Sequence, residues 1–363
     1  MWVKTIMEKA RERYIPLSVC MELTYRCNVR CHMCYLNILP AESKVSDELS
    51  YEEVLSVLDQ LAEAGTLFLK LTGGEVFVRE DFLDIAFAAK ARGFSMYIKT
   101  NGTLITDPIA RRLKELAPAC VDISLLGASA ATHDKIMGVP GSFEKAVNGL
   151  KLLQKYGVLT AVSTTLLKQN QNELLEIQKI GRQVGAIRTN HSDLISPKVD
   201  GSKTNLKTSR LKAKELENFW GNQNRMMPEG SEDFMFEGTM NTKNPKANLE
   251  MCNAGRSYCV ISPSGDVKLC VVFSKKFGNF RLQPFVEIWD NAVELQKLRS
   301  INDSGQLTGC RTCAVIQHCR LSHAHCAGYV LCERIGPSIE SCRMAFLEAG
   351  LKQPGSIKVS AQS

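Results

Sequence analysis

Three cysteines fall within eight residues, in the stretch Cys27-Asn28-Val29-Arg30-Cys31-His32-Met33-Cys34. A [4Fe–4S] cluster is normally held by four thiolates. Three on one short loop can cover three corners and leave one iron without a protein ligand, open to a substrate. A zinc site is the alternative use of such a triplet. The chain carries 14 cysteines in 363 residues, many at short spacings. In a small secreted protein that number would indicate a disulfide framework. Here the N-terminus is a charged helical lead-in, with Lys4, Glu8, Lys9, Arg11, Glu12 and Arg13, and not a secretion signal. Iron–sulfur ligation in a reducing, cytoplasmic setting accounts for the cysteines better.

The elements that must hold this loop follow a regular rhythm. Leu17–Leu23 reads as a strand just before it. Tyr51–Ala64 has apolar residues at helical spacing and stops at Gly65. Then come strand Thr66–Leu71, helix Asp81–Ala91, strand Ser95–Lys99, helix Pro108–Leu116 and strand Val121–Leu125. Helix Phe143–Tyr156, strand Val158–Leu166, helix Glu173–Val184 and strand Ala186–Asn190 complete the series. Six strands alternating with helices predict parallel β/α units, an α/β fold in the form of a partial (β/α)6 barrel. Ligands of β/α barrels bind at the C-terminal ends of the strands, which is where the cysteine loop lies. The expected division is a lead-in over 1–16, the barrel over 17–220, a linker or lid over 221–250, a cysteine-rich α+β domain over 251–345 and a tail over 346–363. No run of about 18 apolar residues occurs, so no membrane span is expected.

Other strand ends carry related signals. The second runs into Thr72-Gly73-Gly74-Glu75, where glycines permit close backbone approach and a carboxylate can meet an ammonium. The third ends in Lys99-Thr100-Asn101-Gly102, the fourth in Ser124-Leu125-Leu126-Gly127. With the cysteine spacing, these motifs resemble the radical S-adenosylmethionine (SAM) enzymes. The resemblance implies that Cys27, Cys31 and Cys34 hold a cluster whose open iron chelates the amino and carboxylate groups of SAM. An electron from the cluster then releases a 5′-deoxyadenosyl radical. It also implies that Gly73, Gly74 and Glu75 hold the SAM amino group, with Asn101 and Ser124 as further contacts and Met33 against the adenine. Met33 stands where relatives usually have an aromatic residue, and Leu126 where many have Asp. Thr165 and Asn170 are within reach of the adenosine, with a capping or turn role as the alternative. His133 lies in a segment, 128–150, similar to one in peptide-modifying and cofactor-maturing relatives; decoration of a helix near the barrel rim is preferred to acid–base chemistry.

Beyond residue 250 the cysteines recur. Cys252, Gly265 and Cys270 match a pattern of Cys, twelve residues, Gly, four residues, Cys. Val260-Ile261 and Val267–Leu269 read as a hairpin turned at Ser264-Gly265, and Asn291–Arg299 as a helix. Cys310, Cys313, Cys319, Cys326, Cys332 and Cys342 follow. This resembles a SPASM domain, so the whole is similar to radical SAM/SPASM peptide maturases, including those of PQQ and mycofactocin. The resemblance implies two auxiliary [4Fe–4S] clusters, three in all: one on Cys252, Cys259, Cys270 and Cys326, the other on Cys310, Cys313, Cys319 and Cys342. His323 stands where the family often has a cysteine, which leaves the fourth ligand of the first open; Cys332 is either a replacement for Cys326 or Cys342 as a ligand or a free thiol near the substrate. Cys20 and Cys120, in apolar strands, are expected in the core.

The implied function is hydrogen abstraction from a ribosomally made precursor peptide, giving a C–C or thioether crosslink or another modification. The competing readings are a small cofactor precursor such as a tetrapyrrole, and a binding or electron-transfer protein, against which the intact motifs argue. Val271 stands where sulfatase-maturing relatives have an aspartate base. The implied partners are the peptide, an electron donor such as flavodoxin or ferredoxin and, since only sixteen residues precede Leu17, a separate peptide-recognition protein or the barrel itself. The net charge of +7 and the basic run Lys198, Lys203, Lys207, Arg210, Lys212, Lys214 suit an acidic partner. No nucleic-acid module is recognisable.

Overall fold

The structure, a computed structural model, describes residues 2–211 apart from 193, 194 and 197, and residues 253–300 apart from 272 and 274; beyond these it describes only 215, 219, 314, 315, 346, 349 and 351. The linker, and all expected auxiliary ligands except Cys259 and Cys270, lie outside the described residues. The chain divides into two compact units, Met1–Arg210 with Ala254–Gln296, and Leu211–Asn253 with Lys297–Ser363.

Helix α1 (Trp2–Glu12) leads into β1 (Ser18–Glu22), and the short pair β2 (Arg26–Cys27) and β3 (Leu39–Pro40) frames the cysteine loop. The alternation then runs α2 (Tyr51–Glu63), β4 (Phe68–Thr72), α3 (Phe82–Ala91), β5 (Ser95–Thr100), α4 (Asp107–Leu116) and β6 (Cys120–Ser124). It continues with α5 (Ala130–Met137), α6 (Ser142–Lys155), β7 (Thr160–Thr165), α7 (Leu174–Gln183), β8 (Arg188–Ser192) and α8 (Thr204–Ser209). Strands β1, β4, β5, β6, β7 and β8 are neighbours in that order, each pair parallel, as the rhythm predicts. Local chemistry sets the ends. Ser50 and Glu53 close a capping box on α2, each side chain bonded to the other's backbone N–H.

The expected hairpin forms as β9 (Tyr258–Ile261) and β10 (Asp266–Lys268), followed by β11 (Lys276–Asn279). Its place was not legible in the sequence: β9 pairs in parallel with β1, so the sheet has nine strands in the order β11-β10-β9-β1-β4-β5-β6-β7-β8. Period-2 patterning sets which face a strand buries, not which neighbour it takes. Beyond lie α9 (Phe285–Asn291), where no helix was expected, and α10 (Val293–Ser300). The Arg281 guanidinium, just after β11, grips the Glu53 carboxylate with two bonds, 2.6 and 2.8 Å, and so ties the end of β11 to α2.

The ladders sort the strand residues onto two faces. Val19, Leu69, Leu71, Ile98, Val121, Ile123 and Val162 lie on the buried face, with α3 packed on β5 and α6 and α7 on β7. On the other face Lys70, Tyr97, Lys99, Asp122, Ser124, Ser163 and Arg188 are polar and half-buried, whereas Phe68, Thr72, Cys120 and Ala161 are buried.

Candidate functional site

The cysteine loop leaves the C-terminal end of β1, and the glycine pair after β4 is fitted to the segment entering it. The Gly74 and Glu75 N–H groups donate to the carbonyls of Thr24 and Arg26, at 2.7 and 2.9 Å. A Cβ on Gly73, whose φ is +140°, would stand 2.2 Å from the Thr24 carbonyl oxygen, and one on Gly74 2.3 Å from that of Arg26. Glycine is thus required because chain meets chain just ahead of Cys27.

Glu75 is completely buried. Its carboxylate accepts from the Thr100 hydroxyl (2.7 Å), the Asn101 N–H (2.7 Å) and the Phe77 N–H (3.2 Å). Burial raises its pKa, and these donors work against that. Asn101 in turn donates through Nδ2 to Asn28 Oδ1 at 2.9 Å, and its Oδ1 accepts from Thr103. Asn28 donates to Thr103 Oγ1 at 2.8 Å. The ends of β4 and β5 and the cysteine loop are therefore one hydrogen-bonded body.

The far side of the loop rests on α5. Arg30 N–H donates to the Met137 carbonyl and His32 N–H to that of Ile136. The Arg30 guanidinium closes the loop by donating to the carbonyls of Cys27 and Val29. Cys27 and Val29 join Leu126, Ile136, Met137 and Leu167 in an apolar cluster, with Cys31 and Met33 packed against it. Burial pushes the Cys27 thiol up to about 11 and raises Cys31 and Cys34 as well; for Cys31 the neighbouring sulfurs Cys34 and Cys27 add to the rise. Among the described residues no three His, Cys, Asp or Glu side chains converge as a cage for one ion. Three cysteines on one loop, Cys27 buried and Cys31 and Cys34 half-buried, are the donor chemistry of an iron–sulfur cluster.

Four residues to which the sequence reading gave no role lie beside the loop. Glu22, fully buried, accepts from Lys268 Nζ (2.8 Å), the Tyr25 hydroxyl (2.9 Å) and the Tyr35 hydroxyl (3.0 Å). Burial and then the Glu22 charge raise both phenols. Tyr35 follows Cys34 directly, and Lys268 arrives on β10. Their clue was present as a charged residue within an apolar strand, but only pairing reveals the partner.

Ser124 and Thr165 sit half-buried at the ends of β6 and β7, on the polar face. Asn170 belongs to the backbone: its Oδ1 accepts from the Leu167 N–H and its Nδ2 donates to the carbonyls of Leu126 and Thr165. His133 is no rim decoration. It is buried, and its Nδ1 accepts the Leu126 N–H at 3.1 Å. Cys20 and Cys120 are buried, as expected. Cys259 is buried on β9, and Cys270 lies half-buried just after β10.

Comparison with known proteins agrees with this layout. Residues 21–180 match the Radical SAM superfamily, and residues 252–314 match SPASM, an iron–sulfur cluster-binding domain. The AdoMet-dependent heme synthase of Methanosarcina barkeri is 30% identical over 84% of this chain and 90% of its own length. The mycofactocin maturase of Mycolicibacterium smegmatis is 29% identical over 85% of this chain and 79% of its own. Among solved structures, Streptococcus suis SuiB bound to precursor peptide SuiA shares the fold at 16% identity, TM-score 0.63, over 87% of this chain and 74% of its own. The anSMEcpe structure with bound AdoMet does so at 17% identity, TM-score 0.65, over 92% and 97%. No helix among the described residues is long and apolar enough to cross a membrane.

Proposed function

This chain belongs to the radical SAM superfamily and is a SAM-using enzyme with a SPASM domain, and from that premise we propose that it modifies a ribosomally made precursor peptide by hydrogen abstraction. The chemistry that a [4Fe–4S] cluster and SAM supply when bound is a 5′-deoxyadenosyl radical. In this reading Cys27, Cys31 and Cys34 hold the cluster and leave one iron open to SAM. Gly73, Gly74, Glu75 and Asn101 form the adjoining wall, with Met33, Ser124 and Thr165 toward the adenosine. Cys252, Cys259, Cys270 and Cys326 hold one auxiliary cluster, and Cys310, Cys313, Cys319 and Cys342 the other. A crosslink releases one electron more than the abstraction takes, and an auxiliary cluster is a suitable acceptor. A flavodoxin or ferredoxin supplies the first electron, and a separate recognition protein or the barrel itself presents the peptide.

The observation that carries the reading is the single hydrogen-bonded body formed by the cysteine loop, Gly74-Glu75 and Thr100-Asn101. It joins three strand ends around one mouth. A second reading, a tetrapyrrole substrate, is favoured by the heme synthase relative at 30% identity over 90% of its length. The test is co-expression with the small peptides encoded beside the chain, followed by mass spectrometry. A loss of two hydrogens marks a crosslink. Reconstituted protein should bind about twelve iron, four per cluster, and lose about four with Cys27, Cys31 and Cys34 changed together to Ala. Deoxyadenosine formed with a tetrapyrrole and never with a peptide would replace the first reading by the second. Deoxyadenosine formed by the triple variant would refute the cysteine assignment.

A further inference from the structure

Glu22 stands where the cysteine loop meets the segment that leads to Cys270, and it divides its two oxygens between them. Oε1 accepts from the Tyr35 hydroxyl at 3.0 Å, and Tyr35 directly follows Cys34. Oε2 accepts from the Tyr25 hydroxyl at 2.9 Å, and Tyr25 stands two residues before Cys27. Both ends of the loop 27–34 are thus fastened to one carboxylate. Oε2 also accepts from Lys268 Nζ at 2.8 Å, and Lys268 stands two residues before Cys270. The same ammonium donates to the Tyr25 hydroxyl at 3.2 Å and lies 5.9 Å from the centre of the Tyr25 ring.

Strand register makes this meeting specific. Cys20 pairs with Val260 on β9, and Val260 with Lys268 on β10. Glu22, two residues beyond Cys20, therefore shares a face of the sheet with Lys268. A slip of one residue would turn Lys268 to the opposite face. Glu22 is fully buried and the Lys268 side chain is 7% exposed, so water does not loosen the pair. Stability alone does not call for it, since an apolar pair of similar volume often serves as well. What the charges add is a fixed position. A buried carboxylate is tolerated while its cation and hydrogen-bond donors stay in place, whereas an apolar side chain tolerates sliding. The bonds from Asn101 and α5 hold the loop to β5 and to its own flank. Glu22 holds it to β10.

We propose that Glu22 is a positioning residue that joins the two thiolate sites, setting the loop of Cys27, Cys31 and Cys34 through Tyr25 and Tyr35 and the approach to Cys270 through Lys268. Each site then retains its cluster partly because the other segment is in place. The proposal rests on the reading in which these cysteines ligate iron–sulfur clusters.

The test uses full-length, cluster-reconstituted protein and the electron paramagnetic resonance of its reduced clusters. The signal that changes when SAM is added reports the site of Cys27, Cys31 and Cys34. The signal removed by Cys270→Ala reports the other. Each is followed while an iron chelator strips the protein, and urea denaturation gives the stability of every variant. In the double variant Glu22→Leu/Lys268→Met both signals should decay roughly fivefold faster or more, the lower end of ordinary coupling between sites, although its stability stays near that of the unaltered protein. Tyr35→Phe keeps the ring and the ion pair and cuts one link to the loop. It should speed decay of the first signal about threefold and leave the second unchanged. A stable double variant with both decay rates unchanged would overturn the proposal, and so would one in which a single signal decays faster. If the double variant does not fold, Tyr35→Phe decides: an unchanged first signal overturns the proposal. These outcomes leave the ligand reading intact. That reading fails separately, and takes the proposal with it, if Cys270→Ala removes no signal or if no signal of the unaltered protein responds to SAM.

Discussion

Replacing Glu75 by Ala asks whether this carboxylate works by touching SAM or by building the wall beside it. Three donors converge on it: the Thr100 hydroxyl, the Asn101 N–H and the Phe77 N–H. Glu75, Thr100 and Asn101 are all buried, so water does not replace a lost acceptor. A buried donor left without a partner costs about 1–3 kcal/mol. The Thr100 hydroxyl can rotate elsewhere, which leaves two backbone N–H groups and an expected loss of roughly 3 kcal/mol. The damage should spread, because the Asn101 turn held by Glu75 also bonds Asn28 in the cysteine loop. Glu75→Gln keeps one oxygen of similar size in place and should cost about 1 kcal/mol. Urea denaturation followed by circular dichroism gives the stabilities, and equilibrium dialysis gives SAM affinity. In Glu75→Ala both should fall together, while Glu75→Gln keeps most of each. An Ala variant as stable as the unaltered protein would refute the positioning argument. A stable Gln variant that binds SAM no better than the Ala variant would instead assign Glu75 a direct contact with the SAM ammonium.

Three other perturbations have expected outcomes. Lys268→Met leaves the Glu22 charge buried with only two phenols and should cost about 3 kcal/mol, whereas the double variant Glu22→Leu/Lys268→Met should regain most of it; a double variant as unstable as the single one would contradict this. Gly74→Ala places a Cβ 2.3 Å from the Arg26 carbonyl oxygen, one residue before Cys27, and should lower iron content on reconstitution and cost about 2 kcal/mol or more. Gly93→Ala, with nothing within 4 Å, is the control and should lose only about 1 kcal/mol. His133 is held neutral, its pKa lowered by burial from 6.5 to about 4, so the unfolded chain binds a proton that the folded chain refuses. Stability must therefore fall as pH drops from about 6.5 toward 4, by about 3 kcal/mol in all. His133→Gln should flatten that limb in denaturation series at several pH values.

Much of this protein was legible in its sequence. The alternation of apolar runs and amphipathic stretches yields the six parallel strands and their helices within a residue or two, because burial of a face writes itself into periodicity. The spacing of Cys27, Cys31 and Cys34 and the glycine pair before Glu75 mark the mouth, since short-range motifs carry their geometry with them. Other features depend on pairing between distant segments. That β9 joins the sheet beside β1, so that Lys268 meets Glu22 across 246 residues of chain, is decided by which edge is free and which buried charge needs a partner. Asn170 and His133, polar residues that invited functional readings, turn out to satisfy backbone groups at Leu126 and Leu167. Nor could one strand at a time disclose which polar side chains share a face. Lys70, Lys99, Asp122 and Arg188 are unremarkable in their own segments, and only the register of β4 through β8 sets them on one face.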